Sequence, residues 1–227
     1  LIDGVVVVDK PKNITSHAVV QRVKRIYQAK KAGHTGTLDP IATGLLPICL
    51  GKATKLSNQL MAGDKEYEVE ILMGVTTDTY DTEGEVTRRA DVPTDILQQT
   101  EKLIPDFMGV VSQKPPYYSA VKYKGKPLYK WAREGRFIDV PPRDVEIKVF
   151  DLLGAGSDTV TARIVCSKGT YIRTLCHDLG EKLGIGACMK GLRRLATGPY
   201  NINDSVTLDK LETLSDINEL RKYIIDI

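Results

Sequence analysis

The chain has 227 residues, of which 42% are apolar and 27% charged, with a formal net charge of +3. That length can bury a substantial core, as one large domain or as two lobes sharing a sheet, and the composition fits a soluble globular protein. No apolar run approaches the roughly 18 residues that span a membrane, and the N-terminus lacks the basic-then-apolar pattern of a secretory signal, so a cytoplasmic setting without a membrane partner is expected.

The first predicted element is a buried strand over residues 4 to 8, G-V-V-V-V, ending in a turn at Asp9-Lys10-Pro11. Thr15 and Ser16 then offer an N-cap to a helix. Val19, Val20, Val23, Ile26 and Tyr27 fall on one face of it, which leaves Arg22, Lys24 and Arg25 toward the other. From Lys10 to Lys31 there are seven Lys/Arg and no acid, so the exposed face of this helix is basic.

The next stretch, A-G-H-T-G-T-L-D-P-I-A-T-G-L-L-P-I-C-L-G over residues 32 to 51, packs punctuation, one histidine and one carboxylate between apolar runs. Gly33 and Gly36 allow close backbone approach, and Asp39-Pro40 is a turn-forming dipeptide. On local pattern alone, an Asp before Pro is more often a helix N-cap or a turn residue than a catalyst. Leu45 to Leu50 reads as a strand feeding a second helix around Ala53 to Met61.

Residues 65 to 73, K-E-Y-E-V-E-I-L-M, alternate so that Tyr67, Val69, Ile71 and Met73 share one face. An inward tyrosine at a strand start is most often an ordinary core aromatic. Thr76 to Gly84 is a polar, turn-rich loop, and Thr94 opens a helix toward Ile104. From Asp64 to Asp106 twelve acids face four bases, so an acidic face is expected to balance the basic one.

Residues 115 to 127, P-P-Y-Y-S-A-V-K-Y-K-G-K-P, interleave three tyrosines with Lys122, Lys124 and Lys126 on a segment that Pro and Gly keep irregular. Such a loop suits RNA. Cations track phosphates while aromatic faces accept unstacked bases, each stack contributing roughly 1 to 3 kcal/mol. The alternative is a solvated hairpin with incidental charge.

Strands follow over 145 to 152 and 159 to 166. In S-K-G-T-Y-I-R-T-L-C-H-D-L-G-E-K-L-G the apolar positions Ile172, Leu175, Cys176, Leu179 and Leu183 have helical spacing, so Thr170 or Thr174 can cap a helix ending at Gly184. Gly169, Tyr171 and Arg173 stand at its entrance. Leu192-Arg193-Arg194 lies in a short run toward Gly198-Pro199, and one or two helices from Leu208 close the chain.

Several chemistries are absent from the sequence. Cys49, Cys166, Cys176 and Cys188 form no C-x-x-C pair and only three histidines are present, so no metal site is expected; Cys49 and Cys166 read as reduced core residues. Gly44 and Gly51 are spaced too widely for a P-loop, and no G-x-G-x-x-G, G-x-S-x-G or H-x-E with P-C-x-x-C is found. What remains is a carboxylate without a cofactor, an inward tyrosine, an arginine at a helix entrance and basic-aromatic surface.

In this order, the blocks D-K-P, A-G-H-T-G-T-L-D-P-I-A-T-G-L-L-P-I-C-L-G-K-A-T-K, K-E-Y, P-P-Y-Y-S-A-V-K-Y-K-G-K-P-L-Y, K-G-T-Y-I-R-T-L-C-H-D-L-G and L-R-R-L closely resemble the TruB family of tRNA pseudouridine synthases, over nearly the whole chain up to about Leu208. The resemblance implies an α+β pseudouridine-synthase fold, a mixed and largely antiparallel sheet flanked by helices with a central RNA-binding cleft. It implies isomerisation of uridine to pseudouridine at position 55 in the T-loop of tRNA, with no metal or organic cofactor.

Carried over by motif, Asp39 is the catalytic aspartate, Tyr67 stacks on the target uracil and Arg173 pairs with the aspartate. Tyr171 and Leu192 line the uridine pocket, His34 stacks in the T-loop, and Lys10 and Pro11 support the site structurally. The domain expectation is a catalytic domain over 1 to 210, with an RNA-binding insertion at about 115 to 143, and a helical tail over 211 to 227 in place of the PUA-type domain that many members carry. The expected partner is the tRNA T-arm stem-loop, with no obligatory protein partner. Two rival readings are a non-catalytic tRNA-folding chaperone and the guide-RNA-dependent branch of the same family.

Overall fold

The computed structural model describes residues 2–60 and 62–226. In chain order its elements are β1 (Gly4–Lys10), α1 (Ser16–Ile26), β2 (Ala32–His34), β3 (Thr43–Leu50), α2 (Ser57–Leu60), β4 (Lys65–Met73), β5 (Val75–Thr77), β6 (Val86–Arg89), α3 (Ile96–Leu103), β7 (Gly109–Gln113), β8 (Lys122–Tyr123), β9 (Lys126–Pro127) and α4 (Leu128–Ala132). They continue with β10 (Arg143–Ala155), β11 (Thr159–Cys166), α5 (Ile172–Lys182), β12 (Ala187–Thr197), β13 (Tyr200–Asn201), β14 (Val206–Thr207), α6 (Leu208–Thr213), α7 (Ile217–Arg221) and β15 (Ile224–Ile225). Among the described residues no helix is long and apolar enough to cross a membrane. The expected α+β class with a mixed, largely antiparallel sheet is what the structure shows.

The chain divides into two compact units, Leu1–Tyr67 with Leu192–Ile227, and Glu68–Gly191. In the first unit, β1 lies antiparallel to β3, with Gly4 opposite Leu50 and Lys10 opposite Gly44. On its other side β1 takes β14 in parallel and β15 antiparallel. β3 also pairs in parallel with the end of β12, Arg193 opposite Thr43 and Arg194 opposite Gly44.

The unbroken valine run of β1 has a physical reason, since both of its faces are buried. Val6 and Val8 join Leu46, Ile48 and Leu50 in a core beneath α1, whereas Val5 and Val7 join Leu45 and Cys49 in a second core on the opposite face. α1 forms where expected. Thr15 caps it by accepting the Ala18 N–H at 3.1 Å, and Val19, Val20, Val23 and Tyr27 are its buried stripe. Leu208, Leu211 and Leu220 of the C-terminal helices pack into the same core, and the Tyr27 hydroxyl donates to the Leu220 carbonyl at 3.0 Å.

In the second unit the strand order is β4-β11-β10-β7, with β-bulges along the β10–β11 ladder. β4 has the expected bounds and alternation, and Val69, Ile71 and Met73 are fully buried.

Some boundaries differ from expectation. β1 runs on through Lys10, and the helix at Ala53 to Met61 is a 3₁₀ segment, Gly51–Leu56, leading into α2; Met61 lies outside the described residues. α3 starts after Asp95 rather than Thr94. The short run around Leu192 to Arg194 is part of an eleven-residue strand. Neither Thr170 nor Thr174 caps α5: Thr170 Oγ1 donates to the Ser167 carbonyl, and Tyr171 holds the cap position.

Candidate active site

Asp39 stands in a loop of the first unit between β2 and β3, half-buried, and its carbonyl accepts the Ala42 N–H at 3.1 Å. Asp39-Pro40-Ile41-Ala42 is therefore a β-turn with proline at its second position, where the ring's fixed φ is favourable. The local sequence reading as a turn is correct for the backbone; the helix-cap reading is not.

Three side chains fasten this loop. Ser16, buried at the start of α1, accepts the Leu38 N–H at 2.8 Å and donates to the Leu38 carbonyl at 2.9 Å. Lys10 has no exposed surface, and its ammonium donates to the carbonyls of Ile14 at 2.7 Å, Pro11 at 2.9 Å and Pro40 at 3.3 Å. Arg194, 2% exposed, donates from Nε to the Leu45 carbonyl at 2.7 Å and from Nη2 to the Gly36 carbonyl at 3.1 Å. The loop is thus gripped at both ends and on both sides of Asp39. Gly44 makes the grip of Arg194 feasible: its φ is +98°, and a Cβ there would meet the Arg194 carbonyl oxygen at 2.3 Å.

Other side chains of the first unit are held as well. His34 ends β2, and its Nδ1 accepts the Gly36 N–H at 3.3 Å, so the proton of the neutral ring sits on Nε2. Burial, and then the charges of Arg194 and His17, hold the imidazole below its usual range. Leu192 is half-buried, and its carbonyl accepts from Thr43 Oγ1 at 3.4 Å. Arg193 forms a two-pronged ion pair with Asp9 at 3.1 and 2.8 Å. Tyr67 is 8% exposed near the start of β4, two residues after Lys65, whose ammonium donates to the Gly63 carbonyl.

Arg173 and Tyr171 belong to the second unit, at the entrance of α5. Arg173 is buried; it donates from Nη1 to the Thr79 carbonyl at 3.0 Å and from Nη2 to the Tyr118 carbonyl at 2.8 Å, and Nη1 lies 3.5 Å from the Asp81 carboxylate. Asp81 in turn accepts from Thr79 Oγ1 at 2.6 Å and from the Glu83 N–H at 3.1 Å. Sequence reasoning missed Asp81. The signal lay in T-T-D-T-Y-D-T-E-G, where acid and hydroxyl alternate as they do in turns that close on their own backbone.

Tyr171 is held by Gln113, whose amide accepts the Tyr171 N–H at 2.7 Å and donates to its carbonyl at 3.0 Å. The Arg143 guanidinium stands 5.1 Å from the centre of the Tyr171 ring. Gln113 likewise gave no signal in the sequence.

The lysine segment is a short hairpin of β8 and β9. Lys122 and Lys124 are exposed on it, Lys124 lying over the Tyr123 ring at 5.4 Å. Lys126 is engaged with Glu134 and lies 4.3 Å from the centre of the Trp131 ring. Among the described residues no group of three or more His, Cys, Asp or Glu side chains is placed to hold a metal ion.

Comparison with known proteins gives this geometry a context. Residues 24–172 match the model of the TruB family pseudouridylate synthase N-terminal domain, and residues 173–227 that of the tRNA pseudouridylate synthase B C-terminal domain. The chain is 52% identical to tRNA pseudouridine synthase B of Syntrophus aciditrophicus, over 92% of this chain and 67% of the relative. For the protein of the same name from Dechloromonas aromatica the figures are 46%, 98% and 74%. Among solved structures it resembles a chain of a Cbf5-Nop10-Gar1 complex, with a TM-score of 0.73 and 31% identity over 98% of this chain and 60% of that one. A chain of the archaeal box H/ACA sRNP Nop10-Cbf5 complex gives 0.68 and 31%, over 92% and 52%. The chain thus spans little more than half the length of these solved chains, and with the matched domain models covering residues 24 to 227 it belongs to the TruB family of pseudouridylate synthases.

Proposed function

We propose that this chain isomerises uridine to pseudouridine in tRNA, at position 55 of the T-loop, with Asp39 as nucleophile. The observation that carries the reading is the Asp39 turn itself, in a chain of this family: a carboxylate on a β-turn whose backbone is fastened by Lys10, Ser16 and Arg194. A reaction that must bring one carboxylate oxygen onto one carbon gains most from such prior positioning.

The reaction breaks the bond from N1 of uracil to C1′ of ribose and makes one from C5 to C1′. The proton lost from C5 is balanced by one gained at N1, so no oxidant or second substrate is consumed. Addition of the carboxylate to C6 of the base and addition to C1′ of the ribose both end at this product. The target base has to leave the stacked T-loop first. Tyr67 is the platform for the extruded uracil, Tyr171 and Leu192 are further base contacts, and His34, neutral and half-buried, faces the RNA loop. Arg173 supplies the positive charge that favours an ionised nucleophile. Lys10 and Pro11 support the site through the Asp39 loop, while Lys122 and Lys124 meet phosphate. The RNA recognised is the T-arm stem-loop, taken without an obligatory protein partner.

Release of tritium from 5-tritiated uridine in a T-arm stem-loop tests this directly. The isolated chain is expected to turn over, and Asp39→Asn to abolish turnover while leaving RNA affinity within roughly an order of magnitude, because the substitution removes the reacting group and leaves the surface that meets RNA intact. Turnover retained by Asp39→Asn removes Asp39 as nucleophile. Binding without release by the wild type supports the chaperone reading, and release only with added guide RNA and proteins supports the guide-dependent one.

A further inference from the structure

One helical turn after Arg173 on α5, His177 lays its ring flat on that of Tyr80, with centroids 3.9 Å apart and planes 10° from parallel. Tyr80 lies between the two residues that Arg173 holds, Thr79 through its carbonyl and Asp81 through its carboxylate. Two side chains spaced i and i+4 on one helix therefore grip three consecutive residues of one turn.

That turn needs holding. Tyr80 has a φ of +65°, in the left-handed region that bulky side chains seldom adopt. Its carbonyl accepts the Met189 N–H at 2.9 Å, and the Thr82 N–H donates to the Met189 carbonyl at 3.0 Å, which fixes the turn against β12 on one side. The ring of His177 packs on the side chain at its centre. Burial holds the His177 imidazole below its usual range, so the ring is neutral, and its Nδ1 is buried with no hydrogen-bond partner among the described residues. The ring face is what His177 offers the turn.

We propose that the stack of Tyr80 on His177 positions Arg173, by holding the Thr79–Asp81 turn in the one conformation that presents the Thr79 carbonyl and the Asp81 carboxylate to the guanidinium. Tyr80 and His177 are positioning residues in this account, which rests on the role given to Arg173 under the proposed function.

The experiment compares wild type, His177→Ala, His177→Phe, Tyr80→Asn and the double variant His177→Ala/Tyr80→Asn, using single-turnover kinetics on the T-arm stem-loop, RNA affinity and amide hydrogen exchange of the full chain. Asn tolerates a positive φ, so Tyr80→Asn removes the ring without forcing the backbone. His177→Ala and Tyr80→Asn are each expected to slow the single-turnover rate roughly three- to tenfold, the size of an aromatic pair, with RNA affinity within about twofold. His177→Phe, which keeps a ring face, restores most of the rate, and the double variant is no slower than the worse single one. The Thr82 and Met189 amides exchange faster in His177→Ala than in His177→Phe.

An unchanged rate in His177→Ala overturns the proposal, as do failure of His177→Phe to restore the rate, additive losses in the double variant, or a loss confined to RNA affinity. A wild-type chain inert on RNA overturns the proposed function and this inference with it; wild-type turnover with an unaffected His177→Ala overturns this inference alone.

Discussion

Lys10 shows how much one residue can fix. A lysine with no exposed surface is tolerable only when its ammonium is surrounded by acceptors, and here three carbonyls, of Pro11, Ile14 and Pro40, supply them. Lys10→Met removes the charge and leaves those carbonyls short of a donor, with an expected loss of about 2 kcal/mol or more in stability by chemical denaturation. A larger fractional fall in kcat than in RNA affinity is expected with it, since the loosened residue is Pro40, next to Asp39. The local pattern of D-K-P indicates a turn, and the family resemblance a structural role for Lys10 and Pro11; that the Lys10 side chain reaches a carbonyl thirty positions on depends on tertiary structure, and no local pattern encodes it.

Asp178 makes a prediction of the opposite sign. Burial, and then the charge of Glu181, push its carboxyl up from 3.8 to about 6. Between those pH values the folded chain keeps a proton that the unfolded chain has released, so the contribution of this group to stability falls as pH rises through that window. Asp178→Asn is expected to raise stability at pH 7 by on the order of 1 kcal/mol, allowing for its partial exposure, and to give no gain below pH 4. Thermal denaturation at the two pH values checks it.

At the level of elements, legibility followed periodicity. β4 and β11 are readable to the residue because their inward positions are apolar from Tyr67 to Met73 and from Val160 to Cys166 and most of their outward positions are polar. β12 is hard to read because A-C-M-K-G-L-R-R-L-A-T lacks a regular alternation: its first three residues are all buried, and Arg194, a buried cation, interrupts the apolar signal. The start of α5 is hard to read for a related reason. No side chain caps the helix; the Tyr171 N–H goes instead to the Gln113 side chain, from a strand 58 positions away, a contact that no local pattern encodes. The turn carrying Asp81 reads locally as an ordinary polar loop, because an arginine that organises it lies nearly a hundred positions later.

The β8–β9 hairpin supports a prediction at this same scale. Neutralising Lys122 and Lys124, both exposed, is expected to reduce the slope of log affinity against log salt by about two, one for each phosphate that no longer meets a cation. Neutralising Lys126 is expected to change the slope little, because its charge is already met by Glu134 and the Trp131 face. An equal effect from all three lysines in RNA titrations at several salt concentrations would show that Glu134 releases Lys126 to the RNA.

For the molecule as a whole, the first unit is assembled from the two ends of the chain, and the second is one continuous stretch between them. Leu220 is 3% exposed in the core that also holds Val6, Val8 and Tyr27. Leu220→Ala is therefore expected to cost about 2 to 4 kcal/mol, the usual range for a buried leucine, although the residue lies far along the chain from Asp39. Denaturation with a probe in each unit would place the loss in the first.

This arrangement also sets a timetable for synthesis on the ribosome. Residues 68 to 191 emerge as one piece and have their own core to fold around, whereas β1 and β3 emerge first and meet β14, β15 and the end of β12 only after that stretch has been made. The Asp39 turn lacks the hold of Arg194 until that residue has been made, which at ordinary elongation rates is on the order of ten seconds after the turn itself. A nascent chain stalled before Arg194 thus has Lys10 and Ser16 to hold the Asp39 turn but lacks the two hydrogen bonds of Arg194 that brace it from the other strand.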